Sequence, residues 1–128
     1  MDAIGIAGTG LTTHQRWLDA ISDNLANINT AKSTSGAAFQ ARYIEAVEDP
    51  NGNGVSENRV HFGSAEGRLV HDPTNPLADE AGYVRMPNID MGQQMGDLIM
   101  AQRGYQANAA VVDRAKTAYE AAIQIGRG

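Results

Sequence analysis

"DMGQQMGDLIMAQRGYQANAAVVDRAKTAYEAAIQI" (residues 90–125) decides how the rest of the chain is read. Apolar or weakly polar residues fall at alternating steps of four and three: Met91, Met95, Leu98, Gln102, Tyr105, Ala109, Val112, Lys116, Tyr119 and Ile123. A repeat near 3.5 belongs to a helix whose narrow stripe faces another helix, with Gln102 and Lys116 as interruptions. Asp90, followed three residues later by Gln93, resembles a capping box, and Pro87 lies just upstream. Gly126, directly after the last apolar residue, predicts the stop. Asp90 and Asp97 come early while Arg114 and Lys116 come late, which suits the helix dipole. Such a helix is about 54 Å long at 1.5 Å per residue. A rod of that length cannot be buried in a chain of 128 residues, so it requires a partner.

The other end mirrors it. Ile4, Leu11, Leu18 and Leu25 are spaced by sevens, and Ala7, His14, Ile21 and Ile28 follow each by three. This pattern of a and d positions predicts a helix over residues 3–29, packed along its length, with Trp17 flanking the seam and widening it. Gly5, Gly8 and Gly10 oppose the first turns at about 1 kcal/mol each relative to alanine, and Thr12 with Gln15 offers an alternative, later start. Gly92, Gly96 and Gly104 weaken the second helix in the same way but permit close backbone approach. The two helices are expected to pair with each other and to be marginal alone.

Between them the period changes. Residues 32–36 form a small, polar linker, and Phe39, Ala41, Tyr43 and Val47 read as a strand, although Phe39, Tyr43 and Val47 also fit a helix. "DPNGNG" (residues 49–54) breaks the chain, after which Val60 and Phe62, then Leu69 and Val70, read as short strands. Pro73 and Pro76 enforce a loop, and residues 83–86 form a last strand stopped by Pro87. The fold class expected is mainly α with a small β-rich insert: residues 1–30 and 89–128 as an antiparallel, coiled-coil-like stalk, and residues 31–88 as a compact middle domain. So short a middle can build only a small core.

Composition narrows the function. The net charge of −5, with no basic patch, argues against a nucleic-acid partner. Without cysteine there are no disulfides, thiolate metal sites or thiol nucleophile. No apolar run reaches the ~18 residues of a membrane span, and no basic-then-apolar leader opens the chain. A cytoplasmic home is then the default, unless export uses a signal that is not cleaved.

Candidate chemical motifs are weak. In "DPNGNG", Asp49, Asn51, Asn53 and Gly54 match the opening of a calcium loop, but Val60 stands where the bidentate glutamate is needed, so a β-turn is expected. "GIAGTG" (residues 5–10) fits neither the dinucleotide fingerprint nor a P-loop. His14, His61 and His71 lack ligand spacing, and nothing supports Ser22 or Ser33 as a nucleophile. No catalytic residue, cofactor, metal or small-molecule substrate is expected. Asn24, Asn27 and Asn29 crowd the end of the first helix. Helix termination explains Asn29 well and Asn24 poorly.

"SDNLANINT" (residues 22–30) resembles the N-terminal signature of bacterial flagellar axial proteins, with its Ser, Asn, Ala-Asn and Asn-Thr elements. Met95, Leu98, Ile99, Ala101, Arg103, Tyr105, Ala107 and Asn108 resemble the C-terminal signature of the same family. "DPTNPLADEAGYVRMPNID" (residues 72–90) and "AIQIG" (residues 122–126) are similar to the proximal-rod members. Gln94 departs from a glutamate frequent there, and Gly104 interrupts the helix. The resemblance implies a structural subunit of the basal-body rod, not an enzyme, exported through the flagellar type III apparatus without a cleaved signal into the periplasmic rod. It implies as partners other copies of the chain, other rod subunits, the hub or rod-junction protein and the export apparatus. It also implies subunit-interface roles for Leu11, Leu18, Ile21, Asn24, Leu25, Asn27, Ile28, Asn29, Met95, Leu98, Ile99, Arg103, Tyr105, Asn108 and Val112. The reading from a different class is a soluble helical adaptor that binds a partner's amphipathic helix.

Overall fold

Both helices form where the periodicity places them, yet each ends differently from expectation. The computed structural model describes residues 3–127, so Met1, Asp2 and Gly128, at the edges of the two expected stalk segments, lie outside the described residues. Helix α1 spans Ala3–Ala26 and α2 spans Met91–Arg127, with strands β1 (Arg42–Glu48), β2 (Val55–Phe62), β3 (Arg68–His71) and β4 (Tyr83–Met86) between them. Helix α1 stops three residues early, in a tightened turn where no asparagine takes a positive φ. The Asn27 N–H is shared between the carbonyls of Asp23 (3.1 Å) and Asn24 (3.3 Å), and the Thr30 N–H turns back to Asn27 O at 3.0 Å. At the start of α2 the expected cap is present: Asp90 Oδ1 accepts the Gln93 N–H at 2.9 Å. Gly126, expected to stop α2, keeps a negative φ and the helix continues through it.

The middle segment folds as two separate antiparallel hairpins, β1–β2 and β3–β4. "DPNGNG" is the turn of the first. Asp49 N–H reaches Gly54 O at 2.7 Å, Gly52 N–H reaches Asp49 O at 3.0 Å, and Asp49 Oδ1 accepts the Asn51 N–H at 2.8 Å. Gly52 and Gly54 take the φ values of 76° and 86° that such a turn requires. Pro73 and Pro76 lie in the connection between β3 and β4. Lys32 adds an isolated bridge to Arg85, with N–H···O bonds of 2.7 and 2.8 Å, which ties the polar linker to β4.

The apolar interior is thin. Most of its buried members are alanine (Ala7, Ala20, Ala38, Ala41, Ala101), joined by Ile21, Ile28 and Val84. Among the largest fully buried side chains are Gln94, Asn24 and Thr13. Alanine burial contributes little transfer free energy, so geometry here depends heavily on hydrogen bonds. Among the described residues no helix is long and apolar enough to cross a membrane.

Candidate assembly surface

Helix α1 carries two faces. One is a polar row, Thr9, Thr13, Trp17 and Asn24, at steps of four, four and seven, which places them on one side of the helix. Each holds the first hairpin. Thr9 Oγ1 accepts the Val55 N–H at 3.0 Å while donating to Ile6 O at 2.6 Å. The Thr13 hydroxyl lies 2.9 Å from Asn58 Oδ1. The Trp17 indole N–H donates to Ile44 O at 2.8 Å. Trp17, expected to widen the seam between the helices, therefore ties α1 to β1. Gly54 faces Thr9, and any Cβ there would overlap the threonine hydroxyl.

Asn24 is the most connected of the row and has no solvent exposure. Its Oδ1 accepts the Arg42 N–H at 2.9 Å and its Nδ2 donates to Arg42 O at 2.9 Å, so the amide pairs with β1 as a neighbouring strand would. The second Nδ2 hydrogen goes to Gln94 Oε1 at 3.1 Å. One side chain thus joins α1, β1 and α2. Arg42 also forms an ion pair with Asp23.

The second face of α1 meets α2, with contacts running in opposite order along the two helices. Asn24 meets Gln94, His14 meets Gly104, and Gly10 meets Asn108. The His14 Nδ1–H donates to Gly10 O at 2.7 Å, and its ring packs edge-on against Trp17 with centroids 4.7 Å apart. The ring fills the space where Gly104 would carry a Cβ, and a Cβ on Gly10 would stand 2.9 Å from Asn108 Oδ1. Glycine at these two positions lets the helix backbones approach closely.

This approach selects the seam on α2. Its buried or half-buried positions include Gln94, Leu98, Ala101, Gly104, Asn108, Val112 and Ala115. The stripe expected from the sequence lies about one residue to the side. Of its members, Leu98, Ala109 and Val112 are half-buried, but Met91, Met95, Gln102, Tyr105, Lys116, Tyr119 and Ile123 are exposed. Methionine and tyrosine side chains facing α1 would hold the axes farther apart than the His14–Gly104 contact allows. After Ala115 every described residue of α2 is exposed. That overhang is roughly 18 Å of helix at 1.5 Å per residue.

The expected interface residues divide accordingly. Ile21 and Ile28 are buried within the chain, as is Asn24, whose hydrogen bonds are all internal. Leu11, Leu18 and Leu25 are half-buried, as are Leu98, Asn108 and Val112. Asn27 is half-buried and bonded to Asp23 O at 2.9 Å, whereas Asn29 is exposed. Met95, Ile99, Arg103 and Tyr105 lie open on α2. Sequence reasoning missed Gln94, which is 2% exposed, along with the Thr9 and Thr13 hydroxyls. The four-residue spacing of Thr9, Thr13 and Trp17 was the signal that could have found the polar row.

The histidines do not converge. His61 Nε2 lies 2.6 Å from Glu45 Oε2 on the open face of the first hairpin, and this hydrogen bond holds the Glu45 carboxyl below its ordinary value. Among the described residues no cluster of three His, Cys, Asp or Glu side chains could hold a metal.

Comparison with known proteins accounts for both ends. Residues 4–31 match the family model described as flagella basal body rod protein, and residues 80–125 match that of the flagellar basal body rod FlgEFG protein C-terminal region. The chain is 32% identical over 131 residues to the flagellar basal-body rod protein FlgC of Escherichia coli O6:H1, covering 99% of this chain and 98% of that one. It is 34% identical over 125 residues to FlgC of Aquifex aeolicus, covering 93% and 91% of the two chains. It is 28% identical over 147 residues to FlgC of Borreliella burgdorferi, covering 98% and 97%. Two helices joined by a buried amide pair and close contacts at glycine, with an open apolar edge, suit a subunit that builds structure. The chain belongs to the FlgC family of flagellar basal-body rod proteins, as a structural subunit of the rod and not an enzyme.

Proposed function

We propose that α1 and α2 act as one antiparallel, coiled-coil-like stalk (residues 1–30 and 89–128) in the axial core of the rod, with residues 31–88 directed outward. The observation that carries this reading is the open apolar edge of α2, where Met91, Met95, Ile99, Tyr105, Tyr119 and Ile123 are all at least 38% exposed. Spread along a helix of 37 residues, these side chains suit repeated contact with neighbouring rod subunits. Leu11, Leu18, Leu25 and Arg103 complete the surface offered to neighbours. The partners are other copies, other rod proteins, the hub or rod-junction protein and the type III export apparatus. Export without a cleaved signal delivers the chain to the periplasmic rod. A helix pair joined by small residues gains modest burial alone, so ordering is completed by contacts that recur in the assembly.

The test compares Ile99→Asp and Leu18→Asp, with Asp19→Ala as the control. In the isolated subunit Ile99→Asp leaves the melting curve unchanged, since the side chain is already 48% exposed. Leu18→Asp, at a half-buried site, costs about 1–2 kcal/mol. In cells both variants lose basal-body incorporation and swimming, and the control keeps them. Normal rods built from either aspartate variant would reject the surface.

A further inference from the structure

Two features of α2 remain without a partner within the chain, and their chemistry matches. The first is a cleft of ≈ 350 Å³ between α1, β1 and α2, lined by Trp17, Tyr43, Ile44 and Met100. Met100 stands 71% exposed beside it. Asp97 lies in the cleft wall, and among the described residues it makes no hydrogen bond or ion pair. The cleft's other full charge, Arg42, is already engaged by Asp23. The cleft's amides, Asn24 and Gln94, bond to each other and to Arg42, so Asp97 is the one unpaired charge in a largely apolar lining, which suits an apolar side chain flanked by a cation.

The second feature is the overhang, residues 116–127. Lys116, Tyr119, Ile123 and Arg127 recur at steps of three and four, so they share one helix face, with Glu120 at its edge. Tyr119 is 64% and Ile123 38% exposed, and among the described residues neither cation has an ion-pair partner. In a chain of net charge −5, a face bearing two cations around an apolar pair is the complement of the Asp97 cleft.

The two cannot meet in one molecule. They lie on a single continuous helix, with Ala101 and Lys116 about 22 Å apart along its axis. We propose that the overhang of one copy seats in the α1–β1–α2 cleft of another, with Tyr119 and Ile123 entering beside Met100 and with Lys116 or Arg127 reaching Asp97. Different surfaces meet in this contact, so it is heterologous: each copy leaves a cleft and an overhang free for the next, and the contact propagates. The inference rests on the rod-subunit reading and specifies one contact between like copies.

The absence of cysteine makes the test clean. Full-length Met100→Cys and Ile123→Cys proteins are mixed and oxidised, and the double variant is oxidised alone. The expected result is a mixed disulfide dimer from the pair and a ladder of multimers from the double variant. Adding Asp97→Lys should lower the yield at least fivefold. Leu69→Cys, 57% exposed on the second hairpin, replaces Met100→Cys as the background control. Yields no higher than this background, insensitivity to Asp97→Lys, or a predominance of Ile123–Ile123 dimers would overturn the contact. All the cysteine sites are exposed, and Tyr119→Cys provides a second partner for Met100→Cys. The same variants in cells separate the two readings. Swimming cells whose rods show no Met100–Ile123 disulfide on oxidation reject the contact while leaving the rod function intact. A chain that cross-links in solution but never enters a basal body keeps the contact and counts against the rod reading.

Discussion

Asn24 and Gln94 share a 3.1 Å hydrogen bond at a point where neither side chain is more than 2% exposed. Through it the end of α1 is locked to the first turn of α2, and the same amide is saturated by both backbone groups of Arg42. A buried amide with every hydrogen bond made stabilises one arrangement of three elements over all others, because any slip strands several polar groups.

Replacement of Asn24 by leucine leaves the Arg42 N–H, the Arg42 carbonyl and Gln94 Oε1 without their partner. At about 1–3 kcal/mol for each buried group left unsatisfied, the expected loss is roughly 3–5 kcal/mol, with some relief from water entry. Asn24→Asp keeps the acceptor for the Arg42 N–H but loses both donors, and it places a charge beside two acceptors, so it should be as damaging. Urea unfolding measures both. A change under 1 kcal/mol for either would mean that the amide does not organise the junction.

Two glycines on α2 should respond in opposite directions to alanine. At Gly96 the added methyl meets nothing within 4 Å beyond its own stretch of helix, so the helix gains up to about 1 kcal/mol. At Gly104 the methyl overlaps the His14 ring, and the cost of moving ring or helix should exceed that gain. Thermal melts of the two variants should bracket the parent. Stabilisation by Gly104→Ala would show that the helices do not approach closely there.

Asp79 predicts an acid-sensitive loop. Its Oδ1 accepts the Tyr83 N–H at 2.9 Å and its Oδ2 accepts the Thr34 hydroxyl at 3.0 Å. The Tyr83 N–H is the main cause holding the carboxyl below its ordinary value of 3.8. With the folded value depressed, the stabilisation is complete above the unfolded value and disappears as pH falls through the folded one. Amide exchange of the Tyr83 N–H should therefore show its protection falling only below about pH 4, once exchange chemistry is corrected for. In Asp79→Asn that acid step should be absent. An unchanged step in the variant would assign it to another group.

The sequence alone determined the features whose cause is local. Helical periodicity located α1 and α2, the Asn and Gly content of "DPNGNG" made it a hairpin turn, and Asp90 capped α2, because each depends on residues a few positions apart. Strand β4 was legible as Tyr83–Met86 for the same reason: Pro87 stops it. The tertiary structure decided which of two adjacent stripes on α2 faces α1. Both have helical spacing, and the larger, more apolar one is left open. The choice falls to small residues, because the His14 ring needs the empty place at Gly104 and Asn108 needs Gly10, and no periodicity encodes that fit. Long-range pairing also decided the role of Asn24. In the sequence it is one of three asparagines near a helix end, and only the approach of Arg42 and Gln94, 18 and 70 residues away, makes it the buried junction of the fold.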